Sequence, residues 1–172
     1  MTVLALDLSS KTGWAYGDTA TANLPAFGEW RMPTGGLPGR FHGLRNCLIE
    51  FLEKHPVGTV VIEAPLPLAA MNNVAAAHQQ LGMRAIVMAE ALGVAATISE
   101  IDCWTVRSEV MGLRRCSRDI AKKEAVRFCL RRGIKVPGDD AADAVLIWLW
   151  HRGRMQRGRP YDGPLFENLN FV

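Results

Sequence analysis

Cysteine and histidine are few in this chain, four of each. The four cysteines (Cys47, Cys103, Cys116, Cys129) are scattered with no C-x-x-C pair. That excludes a disulfide frame or a thiolate zinc site and fits reduced thiols in a cytosolic protein. His42, His55, His78 and His151 lack metal-ligand spacing. No apolar run reaches the length of a bilayer span, and the start M1-T-V-L-A-L-D7 has no basic n-region or cleavage site. The expectation is a cytoplasmic protein with no membrane partner. Repeats and low-complexity tracts are also missing. An actin-like ATPase or sugar kinase needs a second subdomain and a glycine-rich adenosine loop, and 172 residues offer neither. Ser9 and Ser10 have no His/Asp partner for a hydrolase triad.

The composition, 49% apolar and 22% charged, is that of an ordinary globular protein. At this length a single domain can bury a sizeable core. One domain over residues 1–155 and a tail over 156–172 are expected. The net charge of +3 conceals an asymmetry. Residues 1–102 hold 6 basic and 9 acidic side chains, whereas residues 103–159 hold 14 and 6. A basic half beside an acidic half points modestly to a polyanionic partner.

Hydrophobic periodicity predicts strands over 2–8, 12–17, 26–31, 59–63 and 94–101, the first three forming a meander. Helices are expected over 40–54, 69–92, 104–111, 118–132 and about 140–154. The Pro/Gly-rich segment M32-P-T-G-G-L-P-G39 should break the chain between strand and helix. On the long second helix the apolar stripe reads Val74, Ala77, Leu81, Ala85, Met88, Leu92. Ser117 can cap the fourth helix. Strands alternating with helices after an initial meander imply an α/β layer fold with a mixed five-stranded sheet flanked by helices.

Three acidic features violate this apolar pattern. Asp7 sits in V3-L-A-L-D-L-S-S10, Glu63 closes T59-V-V-I-E63, and D139-D-A-A-D143 precedes A144-V-L-I-W-L-W150. A buried charge needs a partner, hydrogen bonds or a metal. Singly, each has a plain structural explanation. Asp140 and Asp143 complement a helix N-terminus, Asp7 bonds a turn, and Glu63 pairs with an arginine. Together, two adjacent strand ends and one helix start bring four carboxylates to one sheet edge. Such a cluster repels unless cations neutralise it. Oxygen donors without His or Cys suit Mg²⁺ or Mn²⁺, and two such ions can hold both attacking and leaving oxygens of a phosphoryl transfer.

D7-L-S-S-K-T-G-W14, V60-V-I-E63 and D140-A-A-D-A144, in this order, resemble the RuvC family of Holliday-junction endonucleases, with an RNase H-like fold. The alanine-rich helix after Glu63 and K122-K-E-A-V126 are similar as well, so the resemblance covers roughly residues 2–152. The divergence looks more like the RuvC-like nucleases of bacteriophages, which would act in the bacterial host cytoplasm. The resemblance implies that Asp7, Glu63, Asp140 and Asp143 are the metal-binding acids, with Asp139 as the alternative to Asp140. It implies two Mg²⁺ per site, with Asp7 bridging them and Mn²⁺ able to substitute. It also implies a homodimer that nicks two symmetry-related strands of a four-way junction, leaving 3′-hydroxyl and 5′-phosphate ends. The chain departs from the family at Leu8-Ser9-Ser10, where Pro-Gly is usual, and at Pro65-Leu66-Pro67, where an aromatic wedge is frequent. Leu66 is the residue left to wedge a base step.

Basic residues fit a phosphate-positioning surface. Lys123, Arg127 and Arg131 recur every four residues, with Ala121, Ala125 and Phe128 expected inward. Arg107, Arg114, Arg115, Arg118 and Lys122 complete the expected DNA contacts. By motif position Lys123 is the expected contact to the scissile phosphate and a member of the catalytic set. Trp148, Trp150 and Met155 are expected in the core or a dimer contact, and Met71, Met83 and Met88 in the core or a subunit interface. The rival readings are a broader fork- and flap-cutting nuclease and a non-catalytic DNA-binding relative.

Overall fold

The computed structural model describes residues 1–64 and 74–157. Strands β1 (Thr2–Asp7), β2 (Lys11–Asp18) and β3 (Ala26–Arg31) form the expected antiparallel meander. Helix α1 (Gly36–Lys54) leads to β4 (Thr59–Glu63), which lies parallel to β1. Helix α2 (Val74–Gly93) leads to β5 (Thr97–Ile101), parallel to β4. Helices α3 (Cys103–Met111), α4 (Arg118–Arg131) and α5 (Asp139–Arg157) follow. The sheet order is β3-β2-β1-β4-β5, the mixed five-stranded sheet that the sequence implies.

Strand alternation sorts the core into two layers. Val3, Ala5, Ala15 and Val61 face α3, α4 and α5, together with Val106, Phe128, Val145 and Trp148. Leu4, Leu6, Val60 and Ile62 face α1 and α2, packing with Leu44, Leu48, Phe51, Met83, Val87 and Ala91. From Ala141 to Trp150 nearly every side chain of α5 is buried, as expected for a helix apolar on all sides. Trp148 and Trp150 are core residues, with indole N–H groups donating to the Gly17 carbonyl and to Glu109. Met155, by contrast, is exposed.

α5 crosses directly over β2 because the residues of β2 on that face are small. A Cβ on Gly13 would lie 1.9 Å from the Asp140 carbonyl oxygen, and one on Gly17 would lie 3.2 Å from the Trp148 ring. Gly13 is also the ladder partner of Asp7. Glycine at position 13 therefore lets the first turn of α5 descend onto the strand end that carries Asp7.

Several local expectations shift. α1 starts at Gly36, four residues early, because Pro38 falls in the first turn, where its missing N–H costs nothing. β5 starts at Thr97, since residues 94–96 close the end of α2 through hydrogen bonds to Ala91 and Leu92, with Ala95 at φ 56°. The stripe expected to bury α2 is on the wrong face. Val74, Leu81 and Leu92 are exposed, and Met83, Val87 and Ala91 point into the core. A helix this rich in alanine offers two apolar stripes, and the Gly82 contact with Phe41 on α1 goes with the other one. Met83 is a core residue and Met88 is half-buried, while Met71 lies outside the described residues. So do Pro65-Leu66-Pro67 and all of the expected tail beyond Arg157. Among the described residues, no helix is long and apolar enough to cross a membrane.

Candidate active site

Two parallel strands place the first two acids. β1 and β4 pair Leu6 with Ile62, so Asp7 and Glu63 end adjacent strands. Odd-numbered positions of both strands face α5, hence both carboxylates leave the sheet on that side. α5 begins above them and supplies Asp140 and Asp143, which are three residues apart and share one face at its N-terminal end. All four line one cleft of about 250 Å³. Asp7, Asp140 and Asp143 are each 5–7% exposed, and Glu63 is half-buried.

The electrostatics follow from burial and crowding. Burial, then repulsion from Glu63 and Asp143, holds Asp7 well above the usual carboxylate range. Glu63 is raised mainly by burial, although a hydrogen bond shared with Asp7 pulls the other way. Asp143 is raised by burial, against the attraction of Arg107. Burial and the neighbouring carboxylates also push up the thiol of Cys103, at the cleft wall.

Three cations answer the four acids. Arg107 is buried and grips Asp143 with two hydrogen bonds, Nη2 to Oδ2 at 2.8 Å and Nε to Oδ1 at 3.3 Å. It lines the acidic cleft together with the four acids. Lys122 Nζ lies 2.5 Å from Asp139 and 3.6 Å from Asp140, and Lys11 Nζ lies 3.4 Å from the other Asp140 oxygen. Asp140, and not Asp139, lines the cleft; Asp139 pairs with Lys122 beside it, and that contact holds its carboxyl below the usual range.

The expected basic residues divide among three concavities. Arg118 and Lys122 reach the acidic cleft. Lys123 and Arg127 line a neighbouring groove of about 550 Å³, shared with Lys122 and Asp139. Arg114 and Arg115 line a second groove, of about 590 Å³, on the α3 side. Lys123 thus lines the groove beside the acids, and Lys122 is the α4 lysine that reaches them. The sequence does carry a signal for this. Arg118 and Lys122 are four apart, as are Lys123 and Arg127, and only packing decides which row turns inward. Ala121, Ala125 and Phe128 are buried as expected, and Ser117 caps α4 by accepting from the Ile120 N–H. Cys103, Trp104, Lys11 and Gln80 are cleft or rim residues that sequence reasoning missed.

The donor chemistry suits a hard divalent ion, since buried carboxylates with raised proton affinity are relieved by a cation. The side chains are not yet arranged as ligands. Among the described residues, no group of three or more His, Cys, Asp or Glu is placed to hold a metal ion as it stands. The cations explain this, because Arg107 occupies both oxygens of Asp143 and two lysines reach Asp140.

No protein-family model and no curated protein matches this sequence. Solved structures do. Thermus thermophilus RuvC matches at 16% identity and TM-score 0.67, over 92% of this chain and 97% of that one. The same protein in complex with Holliday junction substrate matches at 15% and 0.68, over 92% and 96%. A yeast mitochondrial Holliday junction resolvase matches at 14% and 0.57, over 90% and 80%. With a mixed five-stranded sheet in the order β3-β2-β1-β4-β5 and helices on both faces, the chain has the RNase H-like α/β fold of RuvC.

Proposed function

We propose that this chain is a metal-dependent endonuclease that resolves four-way DNA junctions. The observation that carries the reading is the convergence of Asp7, Glu63, Asp140 and Asp143 in one cleft, with Lys122, Lys123 and Arg127 in the groove beside it and Arg114 and Arg115 in another. A fold shared with a RuvC solved on Holliday junction DNA supports the substrate class.

Asp7, Glu63, Asp140 and Asp143 would hold Mg²⁺, or Mn²⁺ in its place, with two ions per site. When bound, these ions would supply an acidified water and charge neutralisation for in-line phosphodiester hydrolysis to 3′-hydroxyl and 5′-phosphate ends. The chain's own residues do the rest. The Asp7–Glu63 pair shares a hydrogen bond at the sheet edge and would release its proton on holding a cation. Arg107 fixes the orientation of Asp143 from beneath. Lys122, within reach of Asp139 and Asp140, is the side chain best placed to take the scissile phosphate as it enters. Arg114, Arg115, Arg118, Lys123 and Arg127 are exposed and position the flanking phosphates, which fixes register without reading sequence.

Paired nicks require two sites related by a two-fold axis, and a four-way junction has matching symmetry. The exposed apolar row on α2 supports a homodimer. Val74, Leu81, Ala85 and Leu92 follow three- and four-residue steps or their sum, the repeat by which two helices pack along a seam.

The test is cleavage of labelled four-way junction, fork and linear duplex, with Mg²⁺ and with EDTA, beside an Asp7→Asn variant. Paired symmetric nicks in the junction, lost with EDTA and in the variant, are expected. Equal cutting of forks and flaps would replace the resolvase with a broader branched-DNA nuclease. No metal-dependent cutting at all would leave a DNA-binding relative.

A further inference from the structure

Trp104 has no part in the acid chemistry, yet it lines the acidic cleft together with Asp7, Glu63 and Asp143. It also lines the groove that holds Arg114 and Arg115. It is the aromatic side chain shared by these two concavities. The indole stands on the first turn of α3, which is fixed by Asp102 accepting the Thr105 N–H at 2.9 Å. Arg107, anchored to Asp143, lies 5.7 Å from the centroid of its ring. A half-buried indole held from below by a fixed guanidinium is a rigid apolar plate at the border between the acids and the polar groove that holds Arg114 and Arg115.

Tryptophans elsewhere in the chain are spoken for: Trp148 and Trp150 are buried and bond to protein groups, and Trp14 stacks on Trp30. Trp104 alone borders the cleft. A plate in that place suits one chemistry on a nucleic-acid strand, the face of a nucleobase. Every base has a π-face, so stacking tolerates any sequence but demands that the base leave its duplex stack.

We propose that Trp104 stacks on a nucleobase face left unstacked at the branch, beside the scissile phosphate, while the groove with Arg114 and Arg115 carries the strand onward. This rests on the nuclease reading and deepens it. Trp104 becomes the residue that makes cleavage depend on a branch, because only at a branch is a base already free to unstack. Intact duplex would have to give up stacking of its own to present the same face.

The test uses binding of four-way junctions by the Asp7→Asn protein, in which no cutting obscures the equilibrium. An abasic site is scanned through the nucleotides next to the branch point. At one position the lost base should weaken binding about tenfold, within the range measured for stacked bases. Trp104→Ala should weaken binding of the intact junction by a similar factor, and the two changes together should cost no more than either alone. Trp104→Phe should retain most of the affinity and Trp104→Leu should not, which separates a π-face from mere bulk. Losses that multiply, an abasic scan with no effect, or a Leu variant as good as Phe would overturn the assignment. If the Asp7→Asn parent binds no branched DNA, the nuclease reading itself falls; if it binds and Trp104→Ala is unaffected, only the stacking role falls.

Discussion

Replacing Gly13 with alanine tests whether the descent of α5 onto β2 sets the geometry of the acidic cleft. A Cβ at position 13 would stand 1.9 Å from the Asp140 carbonyl oxygen, 2.2 Å from its carbon and 2.7 Å from the Ala141 nitrogen. All three are backbone atoms, so no rotamer change relieves the clash. The first turn of α5 must retreat by at least about 1 Å before these atoms reach an acceptable contact. Overpacking of this kind costs about 1–3 kcal/mol, and the better strand propensity of alanine offsets about 0.5 kcal/mol of it. The melting temperature should fall by about 2–8 °C, leaving the chain folded at 25 °C.

The effect on chemistry should be much larger, because that turn carries Asp140 and leads directly into Asp143. A displacement of about 1 Å in reacting groups lowers rates on the order of a hundredfold. The assay is junction cleavage under Mg²⁺, with Mn²⁺ binding by calorimetry as a readout independent of turnover. Both should be impaired in Gly13→Ala. Gly93→Ala, where a Cβ meets nothing within 4 Å, should change neither. A Gly13→Ala protein that melts slightly lower yet binds Mn²⁺ and cuts as the parent does would refute the idea that this close approach positions the site.

The raised carboxyls of Asp7, Glu63 and Asp143 mean that the folded protein binds more protons than the unfolded chain. Without metal, stability should therefore fall as pH rises from about 4, where unfolded carboxylates ionise, through the raised folded values. Thermal melts should show this slope, weakened by saturating Mg²⁺ and by Asp7→Asn, which should also melt higher than the metal-free parent at pH 8. Arg107→Ala strips a pair only 7% exposed on each side and leaves the Asp143 charge buried, a loss of about 3–5 kcal/mol by chemical denaturation. A loss under about 1 kcal/mol would mean that the pair is solvated. Lys122→Ala should slow cleavage of bound junction, whereas Lys123→Ala should leave that rate intact and lower the slope of log K against log salt by about 1. The reverse assignment would follow if the two variants exchanged phenotypes.

Much of this architecture is legible in the sequence, and what is not has definite causes. β3 and β4 fall at the expected bounds, because each is a short segment, aromatic in β3 and β-branched in β4, closed off by flanking Pro/Gly turns. Strand alternation is why Asp7 and Glu63 share a face. The buried side of α2 was not legible, since its alanines, valines, leucines and methionines make two apolar stripes, and contact with α1 goes with only one of them. Lys122 was not legible against Lys123 because spacing defines rows on a helix without saying which row the neighbouring elements cover. Gly13 lies inside the recognisable motif, but its reason, a helix from 127 residues later in the chain, exists only in three dimensions. Trp104 was missed because a lone tryptophan at a helix start carries no periodic signal.

The cations around the acids are not equivalent, and the difference bears on how the cleft would fill. Lys11 is 47% exposed and Lys122 is 23% exposed, at 3.4 and 3.6 Å from Asp140. Contacts that long and that wet are worth little and exchange readily for a divalent ion or a phosphate. Arg107 and Asp143 are each 7% exposed and doubly bonded, so separating them strands two charges away from water. Asp7, Glu63 and Asp140 are then the acids whose compensation is loose: a shared hydrogen bond between the first two and solvated lysines on the third. An arriving cation meets least resistance there, displacing a proton and a lysine. A second would have to compete with a guanidinium already in place. Filling should therefore be sequential and uneven, with Arg107 setting the affinity of the later step.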